Sequence, residues 1–360
     1  MKNWILPAGL AMALLAPQLA FAADSTAERT VMEKAVTGFI QPAYEQFHLA
    51  ATALTIETSH LCAEPSQEQR QKMDAAFRDL TSSWAHAEIV RLGPVLEKNR
   101  FERILFYPDR KSIGLKQIQA LLAEPDEDVT DPLKLVGKSV AIQGIGAFEY
   151  IFYGSQADKA LAEPHNYACR YGLAVAQNIE GIAETLDAAW HDPEGVAKHW
   201  MQPSDDNPVY RTYDEAIGGL IGVEVHGLEM VSDQRIGAFY KGRDLKMSPK
   251  SALLWRSNST MPMVAANIDA LAELWKVSDI ATLLPEDARS LSESALFVLK
   301  SARSAATKLD QPTEERLKDE KYLGKLDFIE LNLRDAIMRI DKDVSAAIGL
   351  GAGFSFSDGD

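Results

Sequence analysis

Apolar residues recur at three and four positions along most of this chain, while alternating strand patterns are scarce, so the pattern predicts a protein that is nearly all helix. Ser66 opens a capping-box pattern with Gln69, and Met73, Phe77, Leu80 and Trp84 follow at helical spacing to about Leu92, where Gly93-Pro94 stops the helix. Asp131 before Pro132 reads as an N-cap with proline in the first turn, and Leu133, Val136, Val140 and Ile142 carry one helix onward to Tyr153-Gly154. Further helical patterns run from about Asn166 to Trp190, Tyr210 to Val231, Pro262 to Trp275, Pro285 to Lys308 and Asp319 to Ile348.

Two irregular stretches interrupt these helices. Between Trp190 and Tyr210 turn formers crowd the chain, which places a boundary near residue 200 between a helical bundle over 23–200 and a second over 201–360. Each half carries a glycine-rich helix, around Gly144 and around Gly222, in keeping with a duplicated, pseudo-symmetric double unit. The other irregular stretch, Lys241 to Pro262, is long enough to be a functional loop.

The chain has 360 residues and a net charge of -15, so its surface potential opposes nucleic acids and anionic membranes. Lys2, the apolar run Trp4 to Leu19 and Ala20-Phe21-Ala22 form a secretory signal, with cleavage expected after about Ala22. No later stretch is long and apolar enough to span a membrane, so the expected product is exported, to the periplasm if the source is Gram-negative. Cys62 and Cys169 suffice for one disulfide in such a compartment; two separately buried thiols are the alternative.

Chemistry is most legible around Glu149. Ile142, Ile145, Gly146, Phe152 and Tyr153 share its helix face, so the carboxylate projects from an apolar surface and needs a dedicated partner. Gly146, one turn earlier, clears room for close packing or a ligand. Arginines of the polar segment after Gly93-Pro94, among them Arg100, Arg103 and Arg110, are candidate partners. Trp84 and Arg91 lie on one stripe; Trp84 reads as core, with a ligand platform as the other reading. In the second half Glu224 is a further buried acid, and His226 with Glu229 at i,i+3 is a spacing that lets an imidazole and a carboxylate share one ion.

Gly144 to Gly154 resembles the central motif of the imelysin family, Gly-x-His-x-x-Glu followed by aromatics and a closing glycine. Cys62-Ala63-Glu64-Pro65-Ser66, the Trp84 helix and the ending Gly353-Phe354-Ser355-Phe356-Ser357-Asp358-Gly359-Asp360 extend the resemblance over the mature chain. It implies two related helical bundles, a site at their junction and a bacterial envelope role linked to iron, with envelope iron-uptake proteins as partners; the family is also catalogued with metallopeptidases. With the residue pattern, the candidate ligand residues are Glu149, Gly146, Trp84, Arg91 and Arg103, and the metal candidates are Glu149, His226 and Glu229, with iron or zinc as the ion. This chain departs from the motif at its centre, where Gly146 replaces the histidine. A lone glutamate does not define a hydrolytic metal site, which needs an open coordination position and a base for water. The reading is a metal-linked binding protein, with a metallopeptidase using His226 and Glu229, or a non-catalytic protein-binding role, as alternatives.

Overall fold

A computed structural model describes residues 25–350, and within them every regular element is helical. The expected signal segment and the Gly353–Asp360 tail therefore lie outside the described residues. In chain order the helices are α1 (Thr26–Ala35), α2 (Gln41–Ala63), α3 (Gln67–Ala87), α4 (Arg100–Ile104), α5 (Ile113–Ala123), α6 (Pro132–Leu135), α7 (Ile145–Tyr153) and α8 (Ala157–Ala160). They continue as α9 (Tyr167–His191), α10 (Val196–Met201), α11 (Tyr213–Glu229), α12 (Thr260–Ser278), α13 (Arg289–Ala306), α14 (Glu320–Met338) and α15 (Ser345–Ile348).

α2 is the axis of the first half, packed on α3 and α9, while α12, α13 and α14 stack side by side in the second. The sequence pattern does not single out α1 and α2; in α2 the buried stripe of Tyr44, Phe47, Leu54 and Leu61 is blurred because the exposed face also carries apolar residues, Leu49 and Ile56. Ser66 caps α3 by accepting from the Gln69 N–H at 3.2 Å. Cys62, at the end of α2, is disulfide-bonded to Cys169 in the first turns of α9.

The halves meet over a wide front. α1 packs on α11 and α12, and α3 packs on α12. Buried apolar side chains from Val31 to Val344 make one continuous cluster. Inside it Arg235 donates to Glu88 Oε2 at 2.7 Å, and Asn267 donates to Glu88 Oε1 at 2.9 Å. These three buried polar residues tie α3 to α12 and to the π-helical turn Met230–Ile236 that extends α11. Burying the Glu88–Arg235 pair gives orientation more than net stability, because desolvation offsets much of the attraction.

The expected single helix from Asp131 to Tyr153 is corrected by the structure. Asp131 does cap, accepting from the Leu133 N–H at 2.9 Å, but the helix it starts ends at Leu135. Ser139 then caps a short 3-10 turn over Val140–Ile142, and Gly144 is the N-cap of α7 instead of a residue inside a helix. Apolar residues on both sides of such breaks keep the helical spacing, which is why the pattern reads through them.

Candidate functional site

Glu149 is buried on α7, with 4% of its surface exposed, and its partner comes from the irregular segment before α12. Its Oε1 accepts from the backbone N–H groups of Arg256 at 2.9 Å and Ser257 at 3.0 Å, and from the Ser257 hydroxyl at 3.0 Å. Left-handed backbone at Leu254 (φ 55°) and Asn258 (φ 58°) folds this loop so that consecutive N–H groups face the carboxylate. The Arg256 guanidinium lies 3.8 Å from Oε2 and also over the rings of Trp255 and Tyr150, at 4.5 and 5.1 Å from their centroids. Burial pushes the Glu149 carboxyl above its ordinary range, while the Ser257 N–H, the Arg256 charge and the Ser257 hydroxyl act against that rise.

Two glycines shape α7 differently. A Cβ on Gly144 would stand 2.3 Å from the Ile104 carbonyl oxygen, so the chain end of α4 can approach only because that position is glycine. A Cβ on Gly146 would meet no atom within 4 Å. Gly146 and Glu149 instead border a cavity of about 720 Å³ between the α4–α5 connection, α7, the π-helical turn and the 249–256 loop. Tyr107 crosses its wall, donating to the carbonyls of Ser251 at 2.9 Å and Gln234 at 3.3 Å. A second cavity of about 750 Å³ shares Tyr150, Lys250, Trp255 and Arg256 with the first, so the Trp255–Arg256–Tyr150 stack stands between the two.

The remaining residues expected at the site lie elsewhere. Trp84 is wholly buried between Phe47 and Phe101, with ring centroids 5.0 and 5.4 Å away, and borders neither cavity; it is core. Arg91 lies on the Phe101 ring and 3.6 Å from Glu102. Arg103 donates to Gln143 Oε1 at 2.9 Å and Asn178 Oδ1 at 2.7 Å, bracing the turn that leads into α7 without reaching Glu149. The expectation that an arginine from the segment after Gly93-Pro94 pairs with Glu149 is thus replaced by Arg256. His226 and Glu229 face each other at 3.0 Å on an exposed part of α11, outside the cavity lining. Glu224 is buried, and neither of its carboxylate oxygens has a hydrogen-bond partner; burial pushes its carboxyl well above the ordinary range.

The donor set does not fit a bare metal ion at Glu149. Oε1 is occupied by N–H and O–H donors, a guanidinium stands by Oε2, and position 146 offers no side chain. Among the described residues no three or more His, Cys, Asp or Glu side chains converge as an ion's ligands, so Glu149, His226 and Glu229 are not brought together.

The imelysin model of the peptidase M75 group matches residues 40–327. The chain belongs to the imelysin family. Its fold is similar to that of an imelysin-like protein from Psychrobacter arcticum 273-4, with TM-score 0.73 and 16% identity over 90% of this chain and 97% of that one. It is also similar to a structure described as an iron-regulated protein A precursor from Parabacteroides distasonis ATCC 8503, with TM-score 0.71 and 12% identity over 89% of this chain and 95% of that one. No curated protein matches it.

The Gly144–Gly154 segment thus borders a cavity, with Glu149 fixed by a distant loop and open space over Gly146. Arg256, Ser257, Lys250 and Trp255 were not legible as site residues; the one signal pointing to them was the length of the irregular Lys241–Pro262 segment.

Proposed function

We propose that this imelysin-family protein is an exported, periplasmic binding protein whose small ligand occupies the cavity beside Glu149, and that it serves acquisition of iron or another metal alongside envelope iron-uptake proteins. The observation that carries this reading is the open space over Gly146, next to a buried carboxylate whose position is fixed from two sides. A junction retired from binding would be expected to fill with side chains; this one keeps a cavity in the size range of small-molecule sites. Export is supported by the leader-like first 22 residues and by the Cys62–Cys169 bridge, a bond suited to oxidising compartments. The iron link rests on the family and on the fold shared with the iron-regulated protein A precursor from Parabacteroides distasonis.

Native mass spectrometry of protein collected from the periplasm, paired with elemental analysis of the same sample, tests the reading. A noncovalent small-molecule mass, lost on denaturation and accompanied by iron, is expected. Protein found in the cytoplasm, or free of any bound species under iron starvation and repletion alike, would contradict it.

A further inference from the structure

The protein carries a net charge of -15, yet the wall of the first cavity has the opposite balance. Arg110, Lys241, Lys250 and Arg256 border it, against the carboxylates of Asp109, Glu149 and Asp233. Two of those carboxylates are already engaged inside the protein. Asp109 accepts from the Ile113 and Leu115 N–H groups at 2.7 and 3.2 Å, and Glu149 Oε1 takes its three donors from the 256–257 loop. Asp233 is exposed at the rim. Among the described residues Arg110, Lys241 and Lys250 form no ion pair, and the guanidinium of Arg256 is half-buried on aromatic faces with one carboxylate oxygen at 3.8 Å. Four cations around a concavity on an acidic protein, three of them in no ion pair among the described residues, raise the local concentration of anions and select for them.

Building on the proposal that this cavity is the ligand site, we infer that its ligand is a small organic anion with several carboxylate groups, taken up by Arg256 and Lys250 with Arg110 and Lys241 across the mouth. The number and spread of the cations call for more than one acidic group. Carboxylate is favoured over phosphate because phosphate sites draw on free backbone N–H groups, and the N–H groups of residues 256 and 257 are committed to Glu149. Trp255, with Lys250 about 6.0 Å from its ring centroid, offers a flat apolar face for the carbon skeleton between the charges. Such an acid also reconciles a cationic cavity with an iron role, since carboxylate oxygens hold ferric ion and the resulting anionic chelate would be the cargo. The free acid and its ferric chelate share this recognition chemistry.

Calorimetric titration of the full mature chain with citrate, ferric citrate and zinc chloride tests the inference. Citrate or its ferric complex is expected to bind, more weakly as NaCl is raised. Arg256→Gln should weaken binding about tenfold or more, and Lys250→Gln, at an exposed position that does not endanger folding, by several-fold. Equal affinity for both forms identifies the free acid as ligand; preference for the ferric form identifies the chelate. Zinc binding that Glu149→Gln abolishes and Lys250→Gln leaves intact would overturn the inference in favour of a bare cation. Failure of both citrate forms would also overturn it; if periplasmic protein still carries a bound small molecule, the cavity reading survives that failure, and if it carries none, both fall together.

Discussion

The backbone of Arg256 holds Glu149 more closely than its side chain does: the Arg256 N–H lies 2.9 Å from Oε1, whereas the nearest guanidinium nitrogen lies 3.8 Å from Oε2. The arginine charge is therefore only partly engaged by the glutamate. One residue fixes the carboxylate through its main chain and keeps its side chain at the boundary of two cavities.

This division of labour separates two substitutions at Glu149. Glu149→Ala leaves the buried N–H groups of Arg256 and Ser257 without an acceptor and should cost about 2–4 kcal/mol. Glu149→Gln retains an oxygen that can accept all three hydrogen bonds and should cost about 1 kcal/mol. Urea unfolding of both variants checks this; equal losses would mean that the loop donors are not what stabilises the site.

Gly144 and Gly146 should respond oppositely to the same change. Gly144→Ala drives a Cβ into the Ile104 carbonyl and is expected to destabilise by about 1–3 kcal/mol, while Gly146→His should fold with a nearly unchanged midpoint because its Cβ meets open space. Thermal melts read both effects.

Burial of Glu149 with a specific partner was legible from its apolar helix face, because helical spacing fixes which residues are neighbours. Arg256 was not, since it lies in an irregular loop where no periodicity links sequence position to direction. The breaks at Ser139 and Gly144 escaped the pattern for a related reason: apolar residues on either side kept the spacing. The long irregular Lys241–Pro262 segment did stand out, although only the folded backbone shows that its left-handed residues turn donors towards α7.

Glu224 makes stability depend on pH. Its folded-state carboxyl titrates well above the ordinary range because of burial, so the unfolded chain ionises first as pH rises and the folded state loses relative stability above about pH 4.5 until its own carboxyl titrates. Glu224→Met, similar in length and apolar, should raise stability by about 1–3 kcal/mol at pH 8, with a smaller gain at acid pH. Denaturant titrations at both pH values check the sign; a gain that grows on acidification would refute it.

The buried Glu88–Arg235 pair is expected to matter when broken on one side only. Arg235→Met leaves Glu88 buried with Asn267 as its remaining side-chain partner and should cost about 3–5 kcal/mol. Pairing it with Glu88→Met should recover part of that loss, as a double-mutant cycle would show.

The most direct test of the binding account is small-molecule occupancy in Gly146→Trp compared with wild type. Its Cβ enters open space and its indole intrudes on the cavity beside Glu149, so the fold and the hydrogen bonds to Glu149 should persist while ligand space is lost. Native mass spectrometry of the purified protein is expected to find the bound species in wild type and in His226→Ala, and to find it missing from Gly146→Trp at unchanged melting temperature. Equal occupancy in a correctly folded Gly146→Trp would contradict the placement of the ligand beside Glu149.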